Sequence, residues 1–595
     1  RDLHVKRHSF PTRRSSDPSG QLHVTKQLSS DEAPLTCIRA LLGLPAGAPI
    51  PPCDVRMGTT LATNALLERR GVRFVLVTAR GLGDVLEIGT QQRPELFALH
   101  IVKPSLLYAH VLELDARLDA QGHEVVPLDR AAVRAALAAL RAEGEQHLAV
   151  VLPHAYAHPV HELAVGEVAR ELGFASVVLS HEVDRELGLV GRGDTTCVDA
   201  YLTPLLHEYV AKLSASLPGS RLGIMTSSGG LSSAARFRGR DAIVSGPAGG
   251  VVAVAHVART AGHGRAIGFD MGGTSTDVCR WDGTFARTYE AEVAGVRVRA
   301  PMLALHTVAA GGGSICRYEG QRLVVGPHSA GARPGPLCYG DPSATALTIT
   351  DVDLHLGRVA ADRFPIVLDG ARVARALDDV ARALAADGHT LDVDAIAAGF
   401  FDVANVHMAE AIRRVSIAEG HALDDTPLVV FGGAGGQHAC AVARLLGIRR
   451  LLVHPLGGVM SAWGIGLAQR SWHGEADVGR EVLSPLVLAR ARAQAERLEA
   501  EGRRALVAEG VTELQVEVTI DVRYAGTDHV LGQPWSSDVA AVAARFHAEH
   551  RRALGYAREG AALEVVCARV EVCEAQAHAA RVEDQVALEP LGHNA

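Results

Sequence analysis

The sequence has no C-x-x-C pair, and its nine cysteines, at positions 37, 53, 197, 279, 316, 338, 440, 567 and 573, are odd in number and scattered. That pattern excludes a disulfide framework and predicts reduced thiols in a cytoplasmic protein. Nor is there a run of 18 apolar residues free of charge, so no membrane span is expected and the chain reads as soluble. Positive charge is not in excess, because 59 Lys and Arg stand against 67 Asp and Glu, a formal net charge of −8. Without a basic field to hold a phosphodiester backbone, nucleic acid is not an expected partner. Short-period repeats, coiled-coil heptads and low-complexity linkers are missing as well. What is there is the 48% hydrophobic and 21% charged composition of a packed globular chain. Its 595 residues suffice for about four domain-sized units. Glycine is in excess, with 61 residues, about a tenth of the chain where ~7% is usual. The glycines cluster behind apolar strands.

Arg1 to Asp17 carry five Lys or Arg and several Ser, show neither a helical nor a strand period, and read as an unrelated leader. Residues 21–26 then alternate as a strand, and a helical stretch follows at 34–42. Apolar runs at 72–79, 148–153, 176–180, 222–226 and 265–269 are separated by Ala-rich helical stretches such as 130–143 and 162–172. This is the pattern of strands covered by helices. A long helical stretch at 373–386 precedes a second series, in which strands at 428–431 and 451–454 flank a helix at 437–446. Residues 486–509 form a helix with i, i+4 charge pairs, and 516–524 and 563–572 alternate as strands. The expectation is an α/β protein of two lobes, 18–260 and 261–475, with a small C-terminal α+β unit over 476–595.

The strongest local signal is Ile267-Gly-Phe-Asp-Met-Gly-Gly-Thr-Ser-Thr-Asp-Val278, a strand ending in Asp270 that turns through Gly272, Gly273 and Thr274 and resumes at Asp277. Two glycines let the main chain approach an anion while successive N–H groups point inward as a nest. Thr274, Ser275 and Thr276 add hydroxyl donors. Asp270, at the strand end, is placed to hold Mg²⁺ through its waters. The alternative is a plain Gly-Gly hairpin in which Asp270 caps backbone N–H groups, and Asp277 is either a second metal or base carboxylate or a hairpin cap. A second loop, Val429-Val-Phe-Gly-Gly-Ala-Gly-Gly-Gln-His-Ala439, runs from a strand straight into a helix. Gly432, Gly433, Gly435 and Gly436 offer flat backbone for a purine, with Gln437 and His438 at the helix start. G-x-G-x-x-G spacing is missing, which argues against a dinucleotide fold, and the alternative to a nucleotide seat is a purely structural tight turn. His154 and His158 have the i, i+4 spacing of a zinc helix, but Pro153 and Pro159 argue for a loop and no third ligand is evident.

Small-residue helix starts at 245–255 and 454–468 bracket these loops, as two closely crossing helices between lobes would. This order of parts resembles the actin, sugar kinase and heat-shock ATPase superfamily. Other motifs narrow the resemblance: Met57-Gly-Thr-Thr60 and its continuation to Gly71, Gly191-Arg-Gly-Asp-Thr-Thr196, Asp199-Ala-Tyr-Leu-Thr-Pro204, Ser227-Ser-Gly-Gly230, Val308-Ala-Ala-Gly-Gly-Gly-Ser314 and Gly326 to Pro336. Together they resemble the hydantoinase A/oxoprolinase family over about residues 19 to 575. Gln91-Gln-Arg-Pro-Glu-Leu-Phe97 and Phe431 to Cys440 are most similar to its 5-oxoprolinase branch.

The resemblance implies a two-lobed ATPase fold and ATP- and Mg²⁺-dependent opening of a lactam or cyclic imide such as 5-oxoproline or a hydantoin. The ring carbonyl would be activated by phosphorylation. It implies catalytic roles for Asp270, Thr274 and Asp277, phosphate contacts from Gly272, Gly273, Thr274 and Ser275, and an adenosine seat at Gly432, Gly433, Gly435, Gly436 and Gln437. Gly312, Gly313, Ser314 and Ser329 would line the cleft, or serve as structural turns. Arg192 would pair with a substrate carboxylate, or be a surface arginine. A B-type subunit is the implied partner, since the chain leaves no room for that half. Two other functions stay open: a ketone carboxylase subunit, and a non-catalytic scaffold. The family's first D-x-G-G-T hairpin is expected just ahead of residue 21, where Arg1 to Asp17 stand instead, and Gly58-Thr59-Thr60 lacks the Asp needed to replace it.

Overall fold

The computed structural model describes residues 8–13, 22–27, 30, 32–91, 97–103, 105–364 and 366–575. The Gln91–Phe97 motif falls largely outside them. Most of the expected strands and helices form within a residue or three of their predicted limits, including Val75–Ala79, His147–Val151, Ser176–Leu179, Arg221–Met225, Ala266–Met271 and Leu428–Phe431. The first lobe carries a four-stranded parallel sheet, ordered His110–Leu114, Val75–Ala79, His147–Val151, Ser176–Leu179, and a three-stranded one that pairs Arg221–Met225 with Asp54–Met57 and Leu231–Ser233.

The second lobe is built on five strands in the order Leu305–Val308, Thr276–Trp281, Ala266–Met271, Leu428–Phe431, Leu451–Val453. Successive side chains of a strand face opposite sides, and both sides are covered. Ile267, Phe269, Met271, Val278 and Val430 pack into a core with Val373, Ile396, Phe400, Met408 and Val442, which come from helices behind the sheet. Ala266, Cys279, Trp281, Val429 and Phe431 pack instead against Ser245–Thr260 and Met460–Leu467. These two helices cross at backbone contact: a Cβ built on Gly464 would lie 1.9 Å from the Gly249 carbonyl oxygen.

Three findings differ from the sequence reading, and a fourth places motifs to which it gave no secondary structure. Residues 8–13 carry no period of their own, yet His8–Arg13 pairs antiparallel with Leu22–Gln27. An edge strand can take its conformation from its partner's hydrogen bonds. The Gly191–Pro204 motifs lie within one 28-residue helix, Leu189–Ser216, despite Pro204 inside it. The first strand of the C-terminal antiparallel sheet is Ser471–Val482, so that sheet begins before residue 476. The helical segment 393–419 is long and apolar enough to cross a membrane, but more than half of that stretch is buried inside the protein.

Candidate functional site

Strand alternation decides which way the acidic residues face. Asp270 follows Phe269, which belongs to the core behind the sheet, so its side chain projects toward the two crossing helices. Asp277 precedes Val278 and faces the same way. The two are direct cross-strand partners in the antiparallel pair. Cys279, on that face, reports both carboxylates: burial first, then the charges of Asp270 and Asp277, push its thiol up to about 12. Like charges directly opposite one another repel, so this position favours a cation between or beside them. Ser461 Oγ donates to Asp270 Oδ2 at 3.0 Å, and Thr307 Oγ1 donates to Asp277 Oδ1 at 2.6 Å.

Behind Asp270 the chain makes the tight turn expected of Gly272–Ser275, with the Gly272 N–H donating to the Ser275 carbonyl at 2.9 Å. Two further loops meet it. The Gly312 and Gly313 N–H groups donate to the carbonyls of Gly272 and Gly273 at 3.1 and 2.6 Å, and the Ala434 N–H donates to the Met271 carbonyl at 3.0 Å. Gly432, at φ +88°, comes so close that a Cβ there would sit 2.3 Å from the Met271 oxygen and 2.5 Å from Asp270 Oδ1. By contrast, a Cβ on Gly273, Gly433 or Gly436 would meet no atom within 4 Å. The exposed sides of the first and third loops therefore border open space. Gln437 is half-buried in the first turn of the helix Gly435–Leu446. Backbone donors, two hydroxyl side chains and a pair of carboxylates bordering open space form a donor set that fits a polyphosphate with its divalent cation.

The other expected site residues are placed differently. Gly311 to Ser314 are buried. Ser314 Oγ accepts from the Gly311 N–H, while the Thr350 N–H and Oγ1 both donate to the Gly312 carbonyl. Gly312, Gly313 and Ser314 thus brace the Gly272–Ser275 turn and are themselves buried. Ser329 belongs to the same brace: its Oγ accepts from the Gly331 N–H and lies 2.9 Å from where a Gly313 Cβ would be. Arg192 is neither on the surface nor near these loops. It is 1% exposed, with Nε on Ser180 Oγ, Nη2 on the Leu152 carbonyl and Nη1 on the Glu186 carbonyl. Burial lowers its pKa, and Glu162 and Asp184 oppose that shift. His438 packs in the interior, bonded to Asn405 Oδ1 and Asp353 Oδ2 at 2.9 and 3.2 Å and stacked on Phe401.

His154 lies at φ +59° in a loop, and His158 Nε2 reaches the Ala120 carbonyl. Among the described residues neither joins a set of metal-ligand atoms. The set that does converge, Glu186, Asp521 and Cys567, surrounds Arg569, whose guanidinium bonds to Asp521, Glu186 and Glu475. Sequence reasoning missed Ser461 and Thr350. Ser461 sits in the small-residue stretch read only as helix packing, and its partner is 191 residues away.

Family models match most of the chain. Residues 13–173 match the hydantoinase/oxoprolinase N-terminal region, and residues 192–473 match hydantoinase/oxoprolinase. The chain is 40% identical over 499 residues to 5-oxoprolinase 1 from Arabidopsis thaliana, covering 75% of this chain and 39% of that one. It therefore spans about two fifths of that relative's length. It is 30% identical to caprolactamase subunit alpha from Pseudomonas jessenii, over 89% of this chain and 80% of the other. The crystal structure of the ATP-dependent caprolactamase from Pseudomonas jessenii superposes with a TM-score of 0.82 at 28% identity, covering 94% of this chain and 85% of that one. On sequence and fold together, the chain belongs to the hydantoinase/oxoprolinase family.

Proposed function

We propose that this chain is the A-type, ATP-binding unit of an enzyme that opens a lactam or cyclic imide ring at the expense of ATP. The observation that carries the reading is the meeting of the Gly272–Ser275 turn, the Gly432–Gly436 loop and the opposed Asp270 and Asp277 at the C-terminal end of Ala266–Met271, the central strand of the second lobe's sheet. A lactam amide is resonance-stabilised and resists water. ATP with Mg²⁺, when bound, would supply a phosphoryl group that makes the carbonyl oxygen a leaving group, and the cation would offset charge on the transferring phosphate.

The protein's own residues supply position. The Gly272, Gly273 and Thr274 turn and Ser275 orient the phosphates, and Asp270 and Asp277 hold the cation. Gly432, Gly433, Gly435, Gly436 and Gln437 seat the adenosine, where the small loop leaves room for it. Gly312, Gly313, Ser314 and Thr350 keep the turn from shifting, and such positioning is most of what phosphoryl transfer asks of a protein. The similarity to a protein named as a subunit supports a B-type partner subunit, and nine free cysteines support a cytoplasmic setting.

The test is ATP hydrolysis by the chain with its B-type partner against 5-oxoproline, hydantoins and acetophenone. Stimulation by a cyclic amide is expected. Stimulation by the ketone alone, with bicarbonate consumed, would replace ring opening by carboxylation, and no stimulation by any of them would end the proposal.

A further inference from the structure

The second crossing helix, Met460–Leu467, is only eight residues long and is held at both ends by groups from different lobes. At its C-terminal end Arg56, on the first-lobe strand Asp54–Met57, donates Nη1 to the carbonyls of Gly466 and Ala468 at 2.8 and 3.1 Å. Ile465, on the same end, lies against Gly58 of the first lobe: a Cβ on Gly58 would be 2.9 Å from Ile465 Cδ1. At its N-terminal end Ser461 donates to Asp270 Oδ2 at 3.0 Å. The other oxygen of that carboxylate lies against Gly432, which leaves no room for a side chain.

Ser461, like Gly464, is a point where the helices touch. Its carbonyl oxygen would be 2.3 Å from a Cβ on Gly249, and its Oγ 3.2 Å from one on Gly250. Eight residues make only about two helical turns, ~12 Å, so a shift of the first lobe that pulls on Arg56 and Ile465 would carry with it the hydroxyl bonded to Asp270 Oδ2.

We infer that Ser461 is a positioning residue, through which the second crossing helix sets the Asp270 carboxylate according to where the first lobe stands. The inference rests on the reading of Asp270 as the cation-holding carboxylate of an ATP site, and goes beyond it by naming what aims that carboxylate. A hydroxyl donated to a carboxylate is among the stronger protein hydrogen bonds.

The test is ATP affinity of the full chain, read by fluorescence titration with Mg²⁺ and again with EDTA. For Ser461→Ala the gain in affinity that Mg²⁺ confers should fall about tenfold, the scale of one lost charge-assisted bond. Affinity in EDTA should stay unchanged, and Ser461→Thr should restore the gain. A wild-type gain in Ser461→Ala, or equal losses in the Ala and Thr variants, overturns the inference. Asp270→Asn separates the two claims. If it loses the Mg²⁺-dependent gain while Ser461→Ala keeps it, the positioning role alone fails. If Asp270→Asn keeps the gain, or the wild-type chain shows no ATP binding, the site reading fails and this inference with it.

Discussion

An alanine at residue 432 would place a methyl carbon 2.3 Å from the Met271 carbonyl oxygen and 2.5 Å from Asp270 Oδ1, in a backbone conformation of φ +88°. The left-handed conformation alone costs an L-residue about 1–2 kcal/mol. Relieving a methyl pressed against main chain and a carboxylate adds about 1–3 kcal/mol. The Met271 oxygen cannot yield freely, because it accepts the Ala434 N–H at 3.0 Å. Gly432→Ala should therefore lose about 2–5 kcal/mol in denaturant unfolding and displace Asp270. The neighbouring Gly433 has open space at its Cβ position and no left-handed φ. Gly433→Ala should unfold within about 0.5 kcal/mol of wild type, as substitutions away from packed features do. If adenosine lies over that open face, the same methyl intrudes on it, and ATP affinity should fall about tenfold, a loss of ~1.4 kcal/mol. The two measurements are paired: unfolding reads the packed glycine and nucleotide titration reads the open one. A Gly433→Ala chain that binds ATP as wild type does would refute the loop as a nucleotide seat.

Asp270→Asn should cut turnover by orders of magnitude, as removal of a metal anchor does. Without Mg²⁺ it should melt at or slightly above the wild-type temperature, because a repulsive cross-strand pair is gone; a large drop in melting temperature would make Asp270 a structural cap instead. Arg192→Met should cost about 3–5 kcal/mol of stability, because the buried Glu162 and Asp184 lose a cation, while the Michaelis constant for the ring substrate stays unchanged. A selective rise in that constant would return Arg192 to substrate binding. His473, held down to about 4 by burial, is neutral in the folded protein and takes up a proton near its ordinary 6.5 when unfolded. The unfolded chain thus binds more protons between about pH 4 and 6.5, so stability is present above 6.5 and is lost as pH falls toward 4. Glu475, raised to about 7 by burial, acts with the opposite sign between its ordinary 4.5 and 7. The histidine's share is therefore the difference in slope between wild type and His473→Gln, and equal slopes would contradict it.

The element order and the acidic turn were legible because both are local. Short continuous apolar runs show Ala266–Met271 and Leu428–Phe431 as strands, and Gly-Gly-Thr after a strand-end Asp shows a tight turn in a dozen residues. What was not legible depends on distance in sequence. Whether Gly312 and Gly313 face the cleft or back the turn is decided by which carbonyls their N–H groups reach, and those belong to residues 272 and 273. Arg192 looked like a surface or substrate arginine because its partners, Leu152, Ser180 and Glu186, are assembled by the parallel sheet and the long helix. Ser461 gave no signal of its own, since a serine among glycines and alanines on a helix reads as packing.

On the proposed function, the opposed carboxylates bear on cation binding more directly than any motif. Asp270 and Asp277 sit on the same face of adjacent strands, in register, where like charges directly opposite one another are destabilising. Thr307 and Ser461 each donate a hydrogen bond to one of them. Gly432 leaves the space that one of those carboxylates occupies. A structural turn gains nothing from such an arrangement, because one Asn in place of either Asp would keep the caps and remove the repulsion. A cation site gains from it, since an arriving positive charge is attracted by both carboxylates at once. The binding energy of that charge is thereby tied to the geometry that also presents the Gly272–Ser275 amides. Stability and nucleotide binding should therefore respond in opposite directions to neutralising either carboxylate, which a packing role cannot produce.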